Sequence, residues 1–223
     1  MNNEEFIKVL ADSTKTKSPP SSRSLSDKQL GDGASFQPEE NDDFIALDFR
    51  TVNTPSCGEW ITDNRDFQKG KYQKGDRKYD YFDFDWRLVN NDLFITIKIN
   101  ILNSHDCAHD VFHNDAADIV PSMSGMQWAH VFKPCKKNIG AVCARTAIST
   151  FFVYKNVFVK VRAIPILPES SPLRDILSEW TAEALIPKSP NGDPWDMVIA
   201  EWIYSILKTA SRFKVFPAEP SPR

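Results

Sequence analysis

Residues 79–101 read YDYFDFDWRLVNNDLFITIKINI. Phe82, Phe84, Trp86 and Leu88 alternate with Tyr81, Asp83, Asp85 and Arg87. Leu93, Ile95, Ile97, Ile99 and Ile101 then alternate with Phe94, Thr96, Lys98 and Asn100. A period of two marks half-buried strands, because successive side chains leave a strand on opposite faces. Between the runs, Val89-Asn90-Asn91-Asp92 is turn chemistry, with short amides and carboxylates that bond their own backbone. The stretch predicts a β-hairpin and therefore an antiparallel sheet.

Working outward, residues 145–153 and 157–164 flank Tyr154-Lys155-Asn156 and predict a second hairpin rich in β-branched and aromatic side chains. Upstream, Ile45, Leu47 and Phe49 alternate with Ala46 and Asp48 and predict a further strand, so folded structure begins near Asp43. The C-terminal third changes period. Ser171-Pro172 reads as an N-cap followed by proline at the first helical position, and Leu173, Ile176, Leu177, Trp180 and Ala184 recur at helical spacing up to Pro187. Asp193-Pro194 repeats the device ahead of Val198, Ile199, Trp202, Ile203, Ile206, Leu207 and Ala210. Trp180 and Trp202 are expected to be buried against the sheet, and 213–216 to add a short edge strand.

Ahead of this body, residues 12–42 hold only Leu25, Leu30, Ala34 and Phe36 as apolar side chains. Such a segment buries too little to offset its ordering entropy and is expected to be disordered. Residues 4–11 could form one or two helical turns only by docking. The expected fold is thus α+β: an antiparallel β-sheet or sandwich built from two hairpins, covered by two C-terminal helices, behind a disordered N-terminal leader. Its parts are a leader over 1–42, a single α+β domain over 43–217 (β-rich to 167, helical over 171–212), and a tail over 218–223.

At 223 residues the chain is one domain or two small ones, and 15 Phe with 6 Trp supply a real core. With 27 basic against 30 acidic residues the net charge is −3, which argues against a wholesale nucleic-acid binder. The N-terminus lacks the basic start and long apolar centre of a secretory signal, and no window is apolar enough to span a bilayer. Four cysteines with no CxxC pair point to a reducing, cytoplasmic setting. Cys135 and Cys143 flank KKNIGAV and could pair if the chain were exported, so export without a classical signal peptide stays open.

Three stretches could carry chemistry. His105, His109 and His113 recur at i, i+4, i+8, the spacing that presents imidazoles on one helical face to a zinc or other divalent ion. His105-Asp106-Cys107-Ala108-His109 echoes HExxH with Asp for Glu, which sets the base differently from a metal-bound water, and His113 comes too early for a third protease ligand. Asp106, Asp110, Asp115 and Asp118 are candidate oxygen ligands or orienting groups. The favoured reading is nonetheless a solvated His/Asp loop or an exposed two-turn helix. Asp83 and Asp85 could ligate a cation but fit a solvated strand face with Lys98 across from them. Residues 65–78, RDFQKGKYQKGDRK, interleave Arg65, Lys69, Lys71, Lys74, Arg77 and Lys78 with Phe67 and Tyr72, and are expected to form a mobile basic loop between strands. Lys133, Lys136 and Lys137 form a smaller basic site beside Cys135.

There is no GxxxxGK[ST], GxGxxG or GxSxG. The preferred function is a non-enzymatic binding module whose partner is another protein, with Lys69, Lys71, Lys74, Arg77 and Lys78 as binding residues. Asp66, Asp76 and the overall charge weigh against nucleic acid or an anionic surface. The alternative is a metal-dependent hydrolase centred on His105, His109 and His113.

Overall fold

The computed structural model describes residues 34–36, 43–74, 77–102, 104–119, 135, 137–146, 148–166 and 186–213. In chain order the strands are β1 (Ala34–Phe36), β2 (Phe44–Ile45), β3 (Thr62–Lys74), β4 (Arg77–Val89) and β5 (Leu93–Leu102). Helix α1 (His105–Ile119) follows, then β6 (Val142–Arg145), β7 (Ser149–Tyr154), β8 (Val157–Pro165), helix α2 (Trp195–Thr209) and β9 (Arg212–Phe213). Seven strands form one antiparallel sheet in the order β1-β6-β7-β8-β5-β4-β3, while β2 and β9 pair separately. Of the two arrangements left open by the sequence, the single sheet is the one formed, and the fold is α+β.

The expected hairpin forms, with Leu88 opposite Ile95, Trp86 opposite Ile97 and Phe84 opposite Ile99; Val89, expected in the turn, instead pairs with Phe94 as the last residue of β4. Its inward row continues into β8 through Val161 and Val159, and α2 closes this face with Ile199, Ala200, Ile203 and Leu207, all fully buried. Trp202 lies partly buried at the margin, edge-on to Trp86 with ring centroids 5.4 Å apart. Residues 167–185, which hold Trp180 and most of the other expected helix, lie outside the described residues, as does the docking segment 4–11. No helix among the described residues is long and apolar enough to cross a membrane.

The opposite face carries a second core that the sequence reading did not anticipate. Leu102, Phe158, Phe151, Val153, Val142 and Ala144 project there and are covered by Ala108 and Phe112 of α1. Covered by helices on both sides, β7 reads STFFVY with its first five residues buried, so strict alternation disappears there.

Other departures from the expected pattern have local causes. After two residues of β2 the strand period at Leu47 and Phe49 gives way to a 3-10 turn, because Asp48 caps it by accepting from Arg50 N at 3.0 Å. The predicted strand 145–153 breaks at a corner, where Thr146 N donates to Ser149 O. Within the expected leader, Ala34–Phe36 is a strand, paired with Val142–Ala144 on β6. Pro194 sits at the N-cap of α2 with no side-chain cap bond, so Asp193-Pro194 does not act as the expected capping pair. Asp193 instead faces Lys137 at 3.5 Å. Of the expected edge strand, Phe213 pairs with Phe44.

Cys135 and Cys143 are joined by a disulfide with Cα atoms 6.1 Å apart. The loop it closes turns at Gly140, whose φ is +69° and where a Cβ would meet Val153 O at 2.0 Å. Glycine is required at that position on both counts.

Candidate functional site

The long β3–β4 hairpin is the first candidate. Residues 62–74 are a strand, which corrects the expectation of a mobile loop over 65–78. The cause is aromatic: Phe67 stacks on Phe82 (5.6 Å) and packs against Phe84 (4.9 Å), seating the base of β3 on the core. From there the two strands zip outward, with Lys71 opposite Asp80, Tyr72 opposite Tyr79, Gln73 opposite Lys78 and Lys74 opposite Arg77. β4 has β5 beside it only from Tyr81 onward. Positions 71–74 and 77–80 therefore extend past β5 as a two-stranded arm. Lys71, Lys74, Arg77 and Lys78 are brought together on it, and exposed Lys69 stands at its root opposite Phe82.

Arg65 does not belong to that set. Its guanidinium lies 3.9 Å from the Trp86 ring centroid, forms an ion pair with Asp63 at 2.8 Å, and donates to the Phe49 and Val52 carbonyls and to Thr54 Oγ1. Lysines on an outer strand also discourage edge-to-edge pairing, which is a purely structural use for part of this charge.

Asp63 is the hub of this base. It accepts from Arg65, from Thr54 Oγ1 and from Trp86 Nε1 (2.7 Å). The Arg65 hydrogen bond, against partial burial and with help from Thr54 and Trp86, lowers its pKa from 3.8 to about 2. A depressed carboxylate stabilises the fold fully above its unfolded pKa near 4 and ceases to do so as pH falls towards the folded value. Because the group is partly exposed, we expect the loss between pH 4 and pH 2 to be about 1 kcal/mol. Urea unfolding at pH 5 and pH 2.5 checks this. Asp63→Asn should remove the corresponding part of the pH dependence, and an unchanged slope would show that the hub is energetically silent.

The second candidate is α1. Its 15 residues replace the expected solvated loop or two-turn exposed helix. Ser104 explains the start, since its Oγ accepts from Cys107 N at 3.1 Å, an N-cap bond readable from the sequence alone. Ala108 and Phe112, four apart, supply the buried stripe. On the same helix, the Nε2 atoms of His105 and His109 stand 3.1 Å apart, with ring centroids at 4.3 Å. His113 is not drawn into this pair: its ring lies 6.4 Å from that of His109 and edge-on to Phe112. Asp115 is engaged by Lys160 at 2.7 Å, while Asp106 is fully exposed and stands 4.0 Å from His105 Nδ1. Among the described residues, no group of three or more His, Cys, Asp or Glu side chains is arranged to hold a metal ion.

Asp83 and Asp85 lie on the α1 side of the sheet. Asp85 faces Lys98 in register and Asp83 accepts from Asn100 Nδ2 at 2.8 Å. Burial, reinforced by Asp85 and opposed by Lys98 and Asn100, raises the Asp83 carboxyl above its ordinary range. Of the smaller basic site, Lys137 is described, and it pairs with Glu201 of α2 at 2.6 Å. Lys133 and Lys136 lie outside the described residues. Comparison of the chain with protein families, with curated protein sequences and with solved structures returned no match.

Proposed function

We propose that the chain is a non-enzymatic binding module that engages an acidic surface of another protein through its projecting hairpin arm. The observation that supports this reading is the extension of β3 and β4 beyond β5, which gathers Lys71, Lys74, Arg77 and Lys78 on a two-stranded arm in an otherwise acidic chain. Paired strands hold these positions together at less ordering cost on binding than a loop would. Sparse apolar content ahead of β1 supports a tethering role for the leader. The Cys135–Cys143 bond weighs against the reducing, cytoplasmic setting expected from cysteine number, since disulfides persist in oxidising compartments.

Fluorescence anisotropy with a Glu/Asp-rich peptide, and in parallel with duplex and single-stranded oligonucleotides, tests the proposal. Reversing Lys71, Lys74, Arg77 and Lys78 to Glu should weaken peptide binding at least tenfold, and added salt should weaken it in the native chain. Tighter binding to an oligonucleotide would replace the protein partner with nucleic acid. Equal peptide binding by native and reversed chains would remove the arm from the reading.

A further inference from the structure

We propose that His105 and His109 form a two-imidazole clip for a divalent transition-metal ion on the first turns of α1, and that His113 takes no part. The proposal does not depend on the hairpin arm. The i, i+4 spacing places both rings on one side of a helix whose start is held by Ser104 and whose inner side is anchored by Ala108 and Phe112. The two Nε2 atoms converge to 3.1 Å. A zinc-class ion binds imidazole nitrogen at about 2.0–2.1 Å. Two such bonds at angles between square and tetrahedral bring their nitrogens about 2.8–3.4 Å apart, a range that includes the 3.1 Å observed here.

The opposed nitrogens narrow the chemistry further. At 3.1 Å both cannot carry a proton, and two facing lone pairs repel. One ring donating its Nε2–H to the other satisfies the pair in the absence of metal, and one cation bound by both takes the place of that proton. His105 Nδ1 is turned towards fully exposed Asp106, 4.0 Å away, and Nε2 is the nitrogen directed at His109. Side-chain nitrogen donors select zinc, nickel or copper over calcium or magnesium, which take oxygen ligands. Two protein donors leave the remaining positions to water. The clip is therefore a modest-affinity site that ties His105 to His109 across one helical turn.

The probe is nickel(II), titrated calorimetrically into the full-length, tag-free chain carrying Cys57→Ser and Cys107→Ser so that thiolates do not compete. We expect one ion per chain and an unfolding midpoint that rises with nickel concentration. His109→Gln should weaken binding at least tenfold with an unchanged circular dichroism spectrum, while His113→Gln should alter it less than twofold. Absence of binding by the unsubstituted clip would overturn the proposal. So would native-like binding by His109→Gln, or an equal loss in His113→Gln.

Discussion

Asp196→Ala is expected to destabilise the protein by about 3–5 kcal/mol, a large share of the roughly 5–15 kcal/mol that holds a domain folded. Asp196 lies in the first turn of α2 and is 0% exposed. Its carboxylate receives Arg145 Nε and Nη2, both at 2.9 Å, and Thr150 Oγ1 at 2.7 Å. The Arg145 side chain is itself 11% exposed. Removing the acid strands a guanidinium and a hydroxyl away from water, and it also takes a negative charge from the positive end of the helix dipole. The penalty comes chiefly from the orphaned partner, not from lost attraction. The double substitution Arg145→Met, Asp196→Leu should therefore recover most of the stability lost by Asp196→Ala alone. Urea midpoints for the two variants measure this. A single mutant within about 0.5 kcal/mol of the native chain would show that the pair does not clamp α2 to β6 and β7.

Asn156→Ala is expected to cost about 3 kcal/mol, far more than a substitution in an ordinary surface turn. Asn156 stands in the β7–β8 turn beside Lys155, which adopts a left-handed φ of 53°. Its side chain serves three backbone groups: Oδ1 accepts from Ile45 N at 2.6 Å, and Nδ2 donates to Ile45 O and Leu102 O, both at 2.9 Å. The amide thus acts as a piece of backbone that joins β2 to the end of β5. With alanine, one buried N–H and two carbonyls lose their partner. Hydrogen exchange at the Ile45 amide should accelerate along with the loss of global stability. Asn156→Asp, which keeps the acceptor but loses both donated bonds and buries a charge, should be at least as damaging. Retention of native stability by Asn156→Asp would refute the role assigned to the amide.

The basic arm shows how local reading and tertiary context diverge. Lysines, glutamines and glycines gave residues 65–78 the composition of a loop. Two aromatic contacts, Phe67 with Phe82 and with Phe84, instead anchor a strand pairing that runs on to Lys74 and Arg77. The histidine stretch diverged for a similar reason. Its spacing already placed His105 and His109 together, and Ser104 was a legible cap. What made it a four-turn helix was the apolar patch of β5–β8 beneath Ala108 and Phe112, which no local pattern displayed.

The sequence by itself determined the antiparallel sheet, the inward-facing rows of β4 and β5 and the apolar face of α2, because period two and helical spacing are properties of neighbouring residues. The helix on the second face, the Arg145–Asp196 clamp and the service of Asn156 to Ile45 were decided only by the tertiary structure. The last two join residues 51 and 111 positions apart. Pairing over such distances leaves no periodic trace in the chain, since the desolvation that gives each polar group its value exists only once the surrounding layers have packed.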